Sequence, residues 1–132
     1  DIAITASGNV WITSMSDTNQ VFEVSHDGEI RRKLNGFSNP ESIDILRTTG
    51  QIWVADTGHN RVIRFRPDVP DGYDLDSINV VPVRFDEQTV DLSQPRAINV
   101  NQNTGESWVV DTGNNRVIRI STDLRQLIIS GF

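Results

Sequence analysis

Trp53-Val-Ala-Asp-Thr-Gly-His-Asn-Arg-Val-Ile-Arg-Phe65 recurs later in the chain, almost unchanged, as Trp108-Val-Val-Asp-Thr-Gly-Asn-Asn-Arg-Val-Ile-Arg-Ile120. A more divergent copy, Trp11-Ile-Thr-Ser-Met-Ser-Asp-Thr-Asn-Gln-Val-Phe-Glu-Val24, precedes both. Self-similarity at a spacing of tens of residues is the signature of a repeat architecture, in which neighbouring units bury each other's apolar faces. We therefore predict three related structural units.

The three tryptophans set the length of the unit. Trp11 and Trp53 are 42 residues apart, and Trp53 and Trp108 are 55 residues apart. The excess is assigned to an insertion at residues 67–77, which is rich in Pro, Gly and Asp. The predicted units are residues 1–37, 38–93 and 94–132.

Each unit is predicted to contain four short strands and no helix. Val, Ile and Phe dominate the apolar runs, while Gly, Asp, Asn and Pro separate them, as is typical of strands and turns. In the second unit the predicted strands are Glu41–Leu46, Gln51–Ala55, Arg61–Arg66 and Ile78–Phe85. Four strands in a repeat of this length indicate an all-β propeller blade rather than a solenoid coil.

The repeats resemble those of the NHL family of β-propellers. Pro40-Glu-Ser-Ile43 and Pro95-Arg-Ala-Ile98 match the Pro-x-x-Ile opening of that family's unit. The segments from Val54 to Val62 and from Val109 to Val117 match its Val-x-Asp-x-Gly-Asn-Arg-Val core. The first unit departs from this pattern, with Ser14 in place of the Asp and Gln20 in place of the Arg. The resemblance implies three four-stranded antiparallel blades of an NHL-type propeller.

The two ends of the chain are in phase with the repeat. The first unit closes with Asn35-Gly36-Phe37 and the third with Ser130-Gly131-Phe132. Known propellers need about four to eight blades to close a ring, so three blades leave two apolar blade faces uncovered. We expect half of a six-bladed ring, completed either by a second chain or by further blades of a longer polypeptide.

Composition excludes several classes of protein. The formal net charge of -6 disfavours nucleic-acid binding, because phosphate backbones attract basic surfaces. The chain has no cysteine, hence no disulfide framework, and no apolar run long enough for a membrane helix. The non-Met start, the missing cysteine and the acidic charge favour an extracellular or periplasmic protein.

Most residues of the repeat core are predicted to have structural roles. Asp56 is expected to accept hydrogen bonds from turn amides, and Gly58 to supply a positive φ. Arg61 is expected to bind Asp56 through its fork of donors. The tryptophans are expected to pack between blades rather than to stack on sugars.

Candidate binding residues lie in the turns and at the blade openings, which share one end of this fold. The candidates there are His59, Asn60, Asn114, Glu41 and Arg96. His59 and Glu41 are considered as an acid–base pair or as metal ligands, since both residue types serve those roles. Asn114 stands where the other repeat has His59, which favours a polar turn residue instead.

The insertion supplies two further binding candidates, Asp71 and Asp74. Its aspartates do not have the spacing of a helix-flanked calcium loop, so no metal ligand is assigned. It is interpreted as a solvated acidic hairpin extension, and as a place for a specific contact because loops carry function on rigid scaffolds.

These observations lead to a binding scaffold for a protein, a peptide or a glycan, with no cofactor. The resemblance implies this, since NHL-like propellers often act as interaction platforms. An enzyme is the first alternative, because lyases and lactonases among related propellers place a divalent metal ion over the central channel. The second alternative is a structural subunit that assembles through its uncovered blade faces.

Overall fold

The fold of the protein is given by a computed structural model, which describes residues 1–73, 84–85, 88–89, 91–122 and 126–131. The described residues form antiparallel strands and two short 3-10 turns, which confirms the all-β prediction. No helix in these ranges is long and apolar enough to cross a membrane.

The first sheet is a complete four-stranded blade. It consists of β1 (Ile2–Ile4), β2 (Val10–Ser14), β3 (Gln20–Val24) and β4 (Ile30–Leu34), hydrogen-bonded in chain order. Burial alternates along β2 and β3, so that Trp11 and Val21 are enclosed. Such alternation follows from the two-residue period of a strand, which directs successive side chains to opposite faces.

The third sheet repeats this arrangement. It consists of β10 (Pro95–Val100), β11 (Ser107–Asp111), β12 (Arg116–Ile120) and β13 (Gln126–Ser130), again in chain order. Ser107, Val109 and Asp111 are buried, and Trp108 and Val110 point to the opposite face. The predicted four-stranded antiparallel blade is therefore confirmed at both ends of the chain.

The second sheet has three described strands. Its described strands are β5 (Pro40–Leu46), β6 (Gln51–Asp56) and β7 (Arg61–Phe65). Most of the predicted fourth strand, Ile78–Phe85, lies outside the described residues. Its last two residues form β8 (Arg84–Phe85), which pairs with β9 (Gln88–Thr89) and not with β7.

Part of the insertion runs along the first blade. Beyond β7 the chain crosses to the outer strand of the first blade, where Gly72 donates its amide to the carbonyl of Lys33 at 2.8 Å. The amide of Asn35 donates to the carbonyl of Tyr73 at 2.9 Å, and Asp71 Oδ1 accepts the Lys33 amide at 2.8 Å. Residues 71 and 72 are exposed and residue 73 is half-buried, and all three are joined by hydrogen bonds to Lys33 or Asn35, in or directly after β4. Asp74 lies outside the described residues.

Two apolar cores lie between the blades, as the repeat pattern predicts. In the first core Trp11 is completely buried and meets Phe65 edge-to-face, with ring centroids 5.5 Å apart. In the second, Trp53 packs with Val109 and Ile118 of the third blade. Trp108 is only half-buried, because no blade covers its face within the described residues.

Candidate functional site at the turn-lined end of the blades

The turns between the second and third strands of the blades form one end of the molecule, called here the turn-lined end. In the second blade the turn is a 3-10 helix at Thr57–His59, closed by Asn60 in the left-handed conformation with φ 54°. In the third blade the same geometry appears at Thr112–Asn114, closed by Asn115 with φ 50°. Two sequences that differ only by His59 and Asn114 thus form the same turn.

Gly58 is required for a different reason from the one predicted. Its φ is not positive; Asn60 takes that conformation instead. A Cβ at Gly58 would lie 2.8 Å from the carbonyl oxygen of Ser38, and closer still to the Ser38 hydroxyl. Glycine therefore allows the turn to approach the segment that enters the blade. The Gly58 amide donates a hydrogen bond to the Ser38 carbonyl at 2.8 Å.

Asp56 and Arg61 fix the turn, as predicted for this pair. Asp56 is fully buried, and its Oδ2 accepts a hydrogen bond from Arg61 Nε at 2.7 Å. Arg61 Nη2 also donates to the carbonyl of Gly36 at 2.5 Å. Asp56 does not accept the predicted turn amides; its Oδ1 instead accepts the amide of Ser38 at 2.7 Å. The carboxylate thereby joins the turn to the chain entering the blade.

The third blade contains the same network. Arg116 Nε donates to Asp111 Oδ2 at 2.6 Å, and the amide of Ser93 donates to Asp111 Oδ1 at 2.7 Å. Arg116 Nη2 reaches the carbonyl of Asp91 at 2.7 Å. Charged hydrogen bonds of this kind are stronger than neutral ones, and a buried carboxylate requires them.

His59 and Asn114 make the same contact. His59 Nδ1 lies 2.9 Å from Asp56 Oδ2, and Asn114 Nδ2 donates to Asp111 Oδ2 at 2.8 Å. The His59 side chain is 42% exposed beyond that contact. Among the described residues no hydrogen bond or ion pair joins His59 to Glu41.

Glu41 and Arg96 are brought together across two blades. They lie one residue after the openings of β5 and β10, and Arg96 Nε is 3.9 Å from Glu41 Oε2. Arg96 is more than half exposed and Glu41 about a quarter exposed. Together with the turn residues they form a polar surface at the turn-lined end.

A repeated joint between blades was not predicted from the sequence. Asn60 Oδ1 accepts the amide of Gln94 at 2.8 Å, and Asn19 Oδ1 accepts the amide of Asn39 at 3.0 Å. The signal was an Asn directly before the third strand in every repeat, here Asn19, Asn60 and Asn115. A second signal was the Ser-(Asn or Gln)-Pro sequence that leads into β5 and β10, the first strands of the second and third blades.

Arg64 lies outside this end and packs on an aromatic ring. Its guanidinium is 5.1 Å from the centre of the Trp53 ring, on the neighbouring strand. Burial lowers the pKa of Arg64 below its ordinary value, because desolvation disfavours the charged form. Cation–π contact with the indole face favours that charged form in turn.

No metal site is assembled from what the structure describes. Across residues 1–73, 84–85, 88–89, 91–122 and 126–131, no group of three or more His, Asp or Glu side chains is placed to hold a metal ion.

Comparison with solved structures gives the fold. Virginiamycin B lyase from Staphylococcus aureus aligns with a TM-score of 0.71 at 15% identity, over 98% of this chain and 40% of that chain. A propeller in the nidogen/laminin complex aligns with a TM-score of 0.71 at 19% identity, over 96% of this chain and 46% of that one. Hydrazine synthase from Kuenenia stuttgartiensis aligns with a TM-score of 0.71 at 14% identity, over 98% and 35%. The chain thus spans less than half the length of these proteins.

Sequence comparison identifies the repeat. No curated protein sequence matches the chain significantly. The NHL repeat family matches residues 37–65, which span the entry to the second blade and its three described strands. The chain therefore contains an NHL repeat and has the blade fold of the NHL-type β-propellers.

Proposed function

We propose that this chain is part of a binding scaffold that recognises a protein or peptide through the turn-lined end. The observation that carries the proposal is the way this end is built. Its turns are fixed by the buried Asp56–Arg61 and Asp111–Arg116 ion pairs, while His59, Asn60 and Asn114 remain exposed. A polar surface held in one conformation binds at a lower cost in entropy than a mobile one.

The charges at this end suit a polypeptide partner. Arg96 is more than half exposed and Glu41 about a quarter exposed, so both charges remain accessible to an opposite charge on a partner. Asn60 Nδ2 is a donor and Asn114 Oδ1 an acceptor that the hydrogen bonds described above do not use, and both are of the kind that pairs with polypeptide backbone. The comparison supports this proposal, since the nidogen/laminin complex contains a propeller of this fold within an assembly of proteins.

The enzyme alternative has less support in the described residues. The lyase comparison concerns a structure only 15% identical to this chain. His59 is directed to Asp56 and Glu41 to Arg96, so the acid–base pair considered from the sequence is not formed by these contacts. His59 acts in the same way as Asn114, which has no acid–base chemistry.

The test is selection of a displayed library of random peptides on the purified full chain. We expect enriched peptides that bind the wild type in calorimetry and bind the Glu41→Arg variant at least about tenfold more weakly, which corresponds to about 1.4 kcal/mol. Arg31→Glu is the matched control, because Arg31 is an exposed charge on β4, away from these turns. Enrichment no greater than on an unrelated β-protein, or binding unaffected by Glu41→Arg, would contradict the proposal.

A further inference from the structure

The outer face of the third blade carries the receiving half of the inter-blade joint, and no segment among the described residues fills it. In the two joints that are formed, Asn19 and Asn60 are left-handed residues, with φ 46° and 54°, whose side-chain oxygens accept an amide from the next blade. Asn115 has the same position in the repeat and the same conformation, with φ 50°. Its side chain has no hydrogen-bond partner among the described residues.

A second contact is found in the joint between the second and third blades. Thr57 Oγ1 donates to the carbonyl of Pro95 in the next blade at 2.6 Å, and this contact is buried. Thr112 holds the equivalent position in the third blade, where it is exposed. Its hydroxyl likewise makes no hydrogen bond within the part of the chain that the structure describes.

The apolar side chains that lie beside the joint also have equivalents in the third blade. Ala55 and Val62 are completely buried where the second and third blades meet. Their equivalents in the third blade, Val110 and Val117, line an open groove of 270 Å³ with Thr112, Asn115 and Arg116. Val110 is 41% exposed there. The hydroxyl donor of Thr112, the side-chain acceptor of Asn115 and the apolar side chains of Val110 and Val117 thus lie in one groove.

The two occupied joints show what such a groove binds. In each, the incoming segment is Ser-(Asn or Gln)-Pro, at residues 38–40 and 93–95. The residue before the proline is left-handed, with φ 45° at Asn39 and 48° at Gln94, and its amide donates to the receiving Asn. The strand that follows the proline then places Ile43 or Ile98 in the core between the blades.

We propose that the groove lined by Val110, Thr112, Asn115, Arg116 and Val117 binds the opening segment of a further blade, a Ser-(Asn or Gln)-Pro sequence followed by an apolar strand. This assignment is independent of the proposed function, because it concerns the blade face and not the turn-lined end. It rests on continuity with the two joints already formed, in both of which the Asn equivalent to Asn115 accepts the amide of the residue before the proline.

A second copy of this chain is less suited to this groove than a further blade. Its first sheet offers an apolar face, including Ile2 and Ile4, both of which are about half exposed. However, the Ser-(Asn or Gln)-Pro sequence occurs only twice in the 132 residues. Both copies already occupy joints within the chain, so a second copy has none free to donate.

The experiment titrates the full chain with the synthetic peptide Phe-Ser-Asn-Pro-Glu-Ser-Ile-Asp-Ile-Leu, corresponding to residues 37–46, followed by nitrogen-15 NMR. We expect saturable shifts at the amides of Thr112, Asn115 and Val117. The same peptide methylated on the amide nitrogen of its Asn has lost the donor, and we expect it to bind at least about fivefold more weakly.

A pair of protein variants completes the test. Asn115→Gly keeps a residue that tolerates positive φ but removes the acceptor, and we expect it to weaken the peptide at least about fivefold. Asn103→Ala, at an exposed position in the β10–β11 turn, is the matched control and should bind as the wild type does. Equal binding of the methylated peptide, equal binding by Asn115→Gly, or shifts confined to other surfaces would overturn the proposal. So would a dimer in sedimentation that Val110→Asp dissociates, since a second copy would then cover this face.

Discussion

Arg61 Nε donates a hydrogen bond of 2.7 Å to Oδ2 of Asp56, a carboxylate with no exposed surface. The pair is the centre of a network that also includes His59 and the amide of Ser38. Removing one partner of a buried pair leaves an uncompensated charge, which is more costly than losing both. We therefore predict that Arg61→Leu lowers the free energy of unfolding by about 3–5 kcal/mol, measured by urea denaturation.

The control for this prediction is the double variant Asp56→Leu with Arg61→Leu. Because it removes the buried charge together with its partner, the combined loss should be smaller than the sum of the two single losses. Additive losses would show that the two side chains act independently, and the interpretation of the pair would then be wrong.

Gly58→Ala is expected to destabilise the blade through a steric clash. The added Cβ would lie 2.8 Å from the carbonyl of Ser38, a backbone atom that cannot rotate away. We predict a loss of about 1–3 kcal/mol in urea denaturation, the usual range for overpacking. Ser38→Gly removes the clashing side chain but not the carbonyl, so it should restore only part of the loss. Complete restoration would show that the hydroxyl alone makes Gly58 necessary.

The fold was predictable because its determinants are local and repeated. Trp11, Trp53 and the alternating apolar residues around them define the blades without knowledge of tertiary contacts. The Asp56–Arg61 pair was also predictable, because both residues recur together with fixed spacing. Repetition therefore indicated which residues support the scaffold.

The parts that were not predicted depend on contacts distant in sequence. Nothing local to Asp71 shows that its carboxylate will bind the amide of Lys33, which lies 38 residues earlier in the chain. The pairing of Glu41 with Arg96 likewise requires two blades to be placed side by side. The sequence correctly predicted that the turn needs Gly58, but it gave the wrong reason. A close approach of two backbone segments and a positive φ both require glycine, so the sequence alone does not distinguish them.

Trp11 and Trp108 provide a matched comparison of a covered and an uncovered blade face. Trp11 is completely buried and contacts Phe65, whereas Trp108 is half-buried at the same position of its repeat. We predict that Trp11→Ala costs about 3–5 kcal/mol of unfolding free energy, as expected for a buried aromatic residue. Trp108→Ala should cost less than half as much in the same denaturation experiment. Equal losses would show that the Trp108 face is already covered in solution.

His59→Asn tests whether the histidine has a role beyond its turn. Asn114 already makes the equivalent bond to a buried carboxylate, with Nδ2 2.8 Å from Asp111 Oδ2. We therefore predict that His59→Asn changes the unfolding free energy by no more than about 0.5 kcal/mol. His59→Ala, which removes the bond, should cost about 1 kcal/mol. Stoichiometric binding of a divalent metal that His59→Asn abolishes would contradict this view and favour the enzyme alternative.

Asp71 is predicted to hold the insertion against the outer strand of the first blade. Its Oδ1 accepts the amide of Lys33 at 2.8 Å, and the neighbouring Gly72 and Tyr73 bond the same strand. An exposed strand edge that is covered in this way is shielded from pairing with other chains. Asp71→Ala should therefore increase hydrogen exchange at the amides of Lys33 and Asn35 at least about fivefold, since opening loses one hydrogen bond of about 1 kcal/mol. Asp68→Ala, an exposed change in the same insertion, serves as the control. If both variants exchange as the wild type does, the carboxylate of Asp71 does not fasten the insertion in solution.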